Sequence, residues 1–278
     1  MLRAFTGLEG GLVASGSTCG VVTGGAAGIA LMHLEALSRD GAAAEFRLMP
    51  LVQDYMHRFE EHYGSCLCRH RTGVDFHTPS GQIRYLLPGD KTLGCLVHIR
   101  GAVRYVSQLR NRPLPDPDQT AAAETGPVIH CAATVLQTIA ERTGLSNDTL
   151  SRIAFVFDGG VGLSGGVCGA LAGAVLGINL KLGMDIRNTG FFRTIQAFIV
   201  GHLNLLREKP SAKSEPFSVG NAVVQRFREE AGSIECAAIT GKSFSGYPEF
   251  NQYIGTSRSC RELMDRAAAY AVAAIEAC

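Results

Sequence analysis

A glycine–cysteine signature occurs twice in this chain, 149 residues apart. The first copy runs Gly10-Gly11, Gly16, Cys19-Gly20, Gly24 and Gly28. The second runs Gly159-Gly160, Gly165, Cys168-Gly169, Gly173 and Gly177. Ser15/Ser164, Ile29/Ile178 and Leu31/Leu180 also coincide, so 10 of 22 positions match. A duplicated pattern is the strongest single constraint on a fold, because both copies must adopt one local structure. A duplicated cysteine within it implies duplicated chemistry.

The repeat extends downstream. Phe59, Glu61, Gly64, Ser65 and Cys68 reappear as Phe227, Glu229, Gly232, Ser233 and Cys236, at an offset of 168. Cys95, Ala102 and Tyr105 reappear as Cys260, Ala267 and Tyr270, at an offset of 165. The changes of offset place length differences in the connecting loops. Each half therefore carries three matched cysteines, and the second adds Cys131 ahead of its signature. The segment holding Cys131 has no counterpart in the first half, whose signature starts nine residues after Met1.

The nine cysteines take their meaning from compartment. No signal-peptide pattern opens the chain, so a cytoplasmic location is expected. Disulfides rarely persist there, and the cysteines read first as metal ligands or redox thiols. Net charge is +1 and Trp is absent, which argues against a nucleic-acid partner. The uncharged stretch 159–180 is long enough to span a membrane. It holds eight glycines, however, and no membrane span is expected.

Hydrophobic spacing predicts helices over 131–142, 149–157, 219–231 and 260–277 in the second half, and over 51–63 and 95–109 in the first. A further helix over 191–206 belongs to the second half alone. Residues 83–87 give the best strand signal, a short hairpin arm. Pro113, Pro115 and Pro117 mark a linker. The expected fold is all-α, a helical protein of two similar repeats with glycine-rich helices. The repeats span 1–110 and 128–278, separated by a Pro-rich linker at 111–127. The regular glycine spacing places the stripes near a pseudo-two-fold axis.

On a helix, Gly165, Gly169, Gly173 and Gly177 share one face, as do Gly16, Gly20, Gly24 and Gly28. Each glycine costs about 1 kcal/mol relative to Ala in a helix, so close backbone packing is expected in return. A phosphate-binding loop at 159–166 is the rival, but no strand precedes it and no Lys-Ser/Thr follows. Cys19 and Cys168 fall at helix N-termini, where the dipole and free N–H groups stabilise a thiolate. Cys68 and Cys236 lie beside helix ends, and Cys95 and Cys260 open helices. In Cys66-Leu67-Cys68-Arg69-His70-Arg71, the positive charges would lower thiol pKa values. A Cys66/Cys68 redox pair is one reading of that cluster. His33, His98 and His202 read as surface or satisfied core histidines; His70 and His130 lie near cysteines. No Ser-His-Asp or paired-carboxylate pattern is present, and no catalytic residue can be assigned.

The order Cys131, Gly165-Gly166-Val167-Cys168-Gly169-Ala170, Gly173, Cys236, Cys260-Arg261-Glu262-Leu263 resembles the redox-active family named for its C…GCAxxG…C…C pattern. That family is related to the N-terminal part of split-Soret cytochromes. The resemblance covers the second half and about two-thirds of the first, which keeps Cys19, Cys68 and Cys95. It departs at Gly169, inserted between Cys168 and Ala170. The resemblance implies an iron–sulfur cluster held by Cys131, Cys168, Cys236 and Cys260 in one half and by Cys19, Cys68 and Cys95 in the other. Gly165, Gly166 and Gly169 would supply backbone N–H groups to such a cofactor. The implied function is electron transfer or reductive chemistry, with a redox partner protein or a small-molecule electron carrier; a homodimer is compatible. The alternatives are a metal-free thiol–disulfide enzyme or sensor using the same cysteines in pairs, and a structural zinc protein. If only one half is functional, the second, with its fuller cysteine set, is expected to be that half.

Overall fold

In the computed structural model, which describes residues 1–76, 78–87, 89–110, 112, 114, 128–206 and 215–278, the two glycine signatures fold into the same left-handed turn. Five successive residues, 10–14, have positive φ, and so do 159–163. A left-handed conformation costs non-glycine residues roughly 1–2 kcal/mol each. Leu12, Val13 and Ala14 bear that strain in one copy, Val161 and Leu163 in the other. Glycine is required where the chain returns on itself. A Cβ on Gly11 would stand 2.5 Å from the Ser17 carbonyl oxygen, and one on Gly160 2.5 Å from the Gly166 nitrogen. Returning hydrogen bonds close the turns, Gly16 N–H to the Gly10 carbonyl (3.0 Å) and Gly165 N–H to the Gly159 carbonyl (2.9 Å).

Each turn delivers its cysteine to the N-cap of a helix. The first half contains α1 (Gly20–Met32), α2 (Leu34–Asp40), α3 (Ala42–Tyr63), α4 (Cys68–Thr72), α5 (Pro79–Leu86) and α6 (Asp90–Leu109). The second contains α7 (Cys131–Thr143), α8 (Asp148–Ile153), α9 (Gly169–Leu182), α10 (Phe191–Asn204), α11 (Glu215–Ala231), α12 (Cys236–Thr240), α13 (Tyr247–Thr256) and α14 (Arg258–Glu276). Short 3₁₀ helices, Leu2–Leu8 and Ala154–Phe157, precede the two turns. The fold is all-helical. Its β structure among the described residues is two isolated antiparallel bridges, Thr18 with Leu67 and Val167 with Glu235.

Three expectations are corrected. Residues 83–86 are helical and Leu87 is the extended C-cap, because Thr78 caps α5 by accepting the Gly81 N–H (3.1 Å) and Pro79 pre-sets its first turn. Cys95 lies inside α6, which starts at Asp90, rather than opening it. Gly16 and Gly165 belong to the left-handed turns, so each helical stripe begins one glycine later. The linker at 111–127 lies outside the described residues apart from Arg112 and Leu114.

The halves interlock. The Leu2–Leu8 turn packs along α9 of the other half, and the Ala154–Phe157 turn packs against α1 and α3. Arg3 Nε donates to the Gly183 carbonyl (3.0 Å), and Thr6 Oγ1 donates to Asn179 Oδ1 (3.2 Å). Where the two bridges meet, Val167 N–H donates to Thr18 Oγ1 (2.8 Å), and Arg69 pairs with Glu235. The halves thus join through turns and bridges; the stripes α1 and α9 do not pack along one another.

The stripe of α9 faces α7 in its own half. A Cβ on Gly169 would stand 2.8 Å from Cys131 Cβ, and one on Gly173 2.7 Å from the Ala132 carbonyl oxygen. The first half has no counterpart of α7 among the described residues. A Cβ on Gly24, the counterpart of Gly173, meets nothing within 4 Å. No single described helix is long and apolar enough to cross a membrane; α1 and α2 reach that length only jointly, bent by 61°.

This asymmetry gives opposite effects at matched positions. Gly173→Ala should cost roughly 1–3 kcal/mol through overpacking. Gly24→Ala should gain up to about 1 kcal/mol from helix propensity. Urea denaturation of the two variants checks both signs.

Candidate functional site

Two backbone hydrogen bonds beside each bridge fix the cysteines. Cys19 N–H donates to the Cys66 carbonyl (2.9 Å) and Cys68 N–H to the Ser17 carbonyl (2.7 Å). The second half repeats this, Cys168 N–H to Ile234 (2.8 Å) and Cys236 N–H to Gly166 (2.7 Å). In both halves the first cysteine caps a stripe helix and the second opens a short helix across the bridge.

The chemistry of the two sites differs. The Cys68 thiol donates a hydrogen bond to Cys19, and this is the largest influence drawing the Cys19 pKa down to about 6. Burial opposes the shift; Arg71 and the N–H groups of Val21 and Val22 reinforce it. Arg71 Nη1 lies 2.5 Å from Cys19 Sγ, and the same guanidinium contacts His98 and sits 5.0 Å from the centroid of the Phe59 ring. Cys68, as donor to the thiolate, stays protonated with its pKa raised. Burial also raises Cys95, which lies 3.9 Å from Tyr85 Oη, and pushes Cys66 up to about 12. Cys66 donates instead to the Met56 carbonyl (3.5 Å), so the thiol that Cys68 meets is Cys19.

In the second half, burial pushes Cys168 up to about 11, although the N–H groups of Leu171 and Ala170 reach it. Burial raises Cys131 and Cys236 as well. No guanidinium offsets it, because the position matching Arg71 is Ile239. Burial thus favours the protonated form of these three thiols. Asp158 occupies the entrance to α7. Its Oδ1 accepts the Cys131 N–H (2.9 Å), and its Oδ2 accepts from Tyr247 Oη (3.0 Å) and lies 2.8 Å from His130 Nδ1. His130 Nε2 lies 3.1 Å from Glu45. Burial disfavours charge on His130, but Asp158 and Glu45 overcome it and raise its pKa to about 10. His202, read as a satisfied core histidine, is fully buried, with Nδ1 2.7 Å from Gln82 Oε1 and Nε2 3.2 Å from Glu9 Oε1.

The iron–sulfur expectation fails on this geometry. Cys131, Cys168, Cys236 and Cys260 do line one cavity, but its volume is about 20 Å³. That is room for about one water molecule, not for a metal–sulfide core. Among the described residues, no three His, Cys, Asp or Glu side chains form a group able to hold a metal ion, and this holds equally for Cys19, Cys68 and Cys95. The structural-zinc alternative falls with it. Gly165 and Gly166 spend their N–H groups on the Gly159 and Gly160 carbonyls, and Gly169 packs against Cys131 and Phe157. The glycines serve the chain's own packing.

The first half is open where the second is closed. A cavity of about 500 Å³ lies between α1 and α6, with Cys19, Cys68 and Cys95 on its wall. Sequence reading missed Arg71 as the partner of Cys19 and Glu9 as a wall residue; the Arg71/Ile239 mismatch within the repeat was the available signal.

An all-helical protein with two related cysteine sites, one holding a thiolate, is the class defined here. The chain belongs to the family described as "Putative redox-active protein (C_GCAxxG_C_C)", whose model matches residues 1–109 and 129–274. No curated protein and no solved structure matches it.

The two charged groups give opposing pH dependence. His130, raised above its unfolded value, adds stability that is complete below pH of about 6.5 and lost toward about 10. Cys19, lowered, adds stability that is complete above about 9 and lost as the pH falls through about 6. Between these limits the slopes oppose each other, each at most ~1.4 kcal/mol per pH unit. Relative to the parent, Cys19→Ser should lose stability as the pH rises across this window, and His130→Gln should gain it. Urea melts at several pH values resolve the two signs.

Proposed function

We propose that this chain is a metal-free thiol–disulfide redox protein, with Cys19 as nucleophile and Cys68 as resolving thiol. The observation that carries the reading is the Cys19 sulfur held between the Arg71 guanidinium and the Cys68 thiol at a helix N-terminus. The thiolate is the reactive species, and a pKa near 6 leaves most of Cys19 ionised at neutral pH. Membership in a redox-active family supports the same reading. It places the chemistry in the first of the two repeats, 1–110 and 128–278, whereas the fuller cysteine set had pointed to the second.

The reaction balances as an exchange. The Cys19 thiolate attacks one sulfur of a disulfide; the S–S bond breaks, and the leaving thiolate takes a proton from solvent. The Cys68 thiol then loses its proton and attacks Cys19 Sγ. The second thiolate leaves with that proton, and a Cys19–Cys68 disulfide remains. Two electrons pass from the protein thiols to the substrate. An external dithiol, protein or small molecule, returns them, as a reducing compartment such as the cytoplasm would allow.

Alkylation of Cys19 by iodoacetamide, followed against pH by mass spectrometry, tests this. The rate should rise with a midpoint of about 6. Arg71→Ile, which copies the second half, should move the midpoint up by at least about one unit and slow alkylation at pH 7 by roughly twofold or more. A midpoint near the ordinary ~8.5 in the parent protein would remove the basis for the reading. Cys68→Ser should trap the mixed disulfide at Cys19.

A further inference from the structure

The cavity beside Cys19 occupies the place that α7 holds in the second half. There, Gly169, Gly173 and Gly177 are covered by Cys131, Ala132 and Ile139. On α1 the matching Gly24 faces open space, while Val106 of α6 comes to 3.6 Å from a Cβ on Gly28. The lower groove is thus closed by α6, and only the end next to the cysteines stays open. A whole helix cannot enter, but a small molecule can: about 500 Å³ lies within the usual range of ligand sites, ~300–1,000 Å³.

The wall selects the ligand. Phe5, Leu8, Ile99, Val103 and Val106 make it apolar; among the described residues Glu9 is its one acidic residue and no Lys or Arg is on the wall. Glu9 corresponds to Asp158 in the repeat. Asp158 uses both oxygens, one to accept the N–H that opens α7. Glu9 binds His202 through Oε1, and its buried Oε2 has no partner. The apolar wall and the Glu9 carboxylate therefore disfavour an anion in this cavity.

We infer that the substrate of the Cys19–Cys68 pair is a small, uncharged, largely apolar disulfide, seated between α1 and α6. This rests on the thiol–disulfide reading above and specifies its substrate; the bond changes are those already given.

Two matched probes test it. Bis(aminophenyl) disulfide is uncharged and carries donors; bis(carboxyphenyl) disulfide has the same skeleton and is dianionic. Each rate at Cys19 is divided by the rate of the same probe with a free thiolate, and by the Cys19 iodoacetamide rate of the same variant. The parent should prefer the amino probe by at least about tenfold, the equivalent of ~1.4 kcal/mol. Gly24→Leu, whose side chain grows into the open end of the groove, should erase most of that preference. Glu9→Gln should reduce discrimination against the carboxylate. Equal normalised rates in the parent, or a preference unchanged by Gly24→Leu, would overturn the substrate assignment while leaving the redox reading intact. A Cys19 inert to iodoacetamide at neutral pH would instead remove the redox reading itself.

Discussion

The left-handed glycine turn is the constraint from which the rest of the structure follows. At Gly11 and Gly160 a Cβ would stand 2.5 Å from the returning backbone, which leaves no space for one. The strained residues after them, Leu12, Val13, Ala14, Val161 and Leu163, are all buried, so core packing stabilises what the local backbone disfavours. Each turn fixes three things: the position of a cysteine at a helix N-cap, the start of a β-bridge that recruits a second cysteine, and the direction of a glycine-striped helix. The preceding 3₁₀ turns then cross to the opposite half, so neither stripe helix is packed by its own half alone.

One design with two outcomes follows from a few unmatched residues. Arg71 stands where the second half has Ile239, and this places a fixed positive charge beside one sulfur and none beside the other. Helix α7 covers the stripe of α9, whereas the cysteine end of α1 is open. Burial without a counter-charge keeps Cys131, Cys168 and Cys236 neutral; burial with Arg71 and a donated thiol proton keeps Cys19 ionised. The second half is packed around its cysteines, whereas the first leaves Cys19 beside an open cavity.

Much of this was legible in the sequence. The duplication, the all-helical class, the N-terminal placement of Cys19 and Cys168 and the close packing of the α9 glycines follow from spacing and residue type. The family resemblance, not the repeat, grouped Cys131, Cys168, Cys236 and Cys260, which line one cavity. The size of that cavity was not legible, because it depends on how Phe244, Phe250 and Met264 fill the space around the sulfurs. The helix at 79–86 was hidden by the β-forming Ile83 and Tyr85, although Thr78-Pro79 carried the cap. The Arg71–Cys19 contact spans 52 residues and lies beyond any local pattern.

The most direct test is a disulfide map of the oxidised protein. The full chain is titrated with hydroxyethyl disulfide at neutral pH, its remaining thiols are blocked, and its peptides are mapped without reduction. A Cys19–Cys68 disulfide should form first, with Cys131, Cys168, Cys236 and Cys260 still reduced. Oxidation beginning in the second half, or Cys19 and Cys68 remaining as free thiols, would contradict the account.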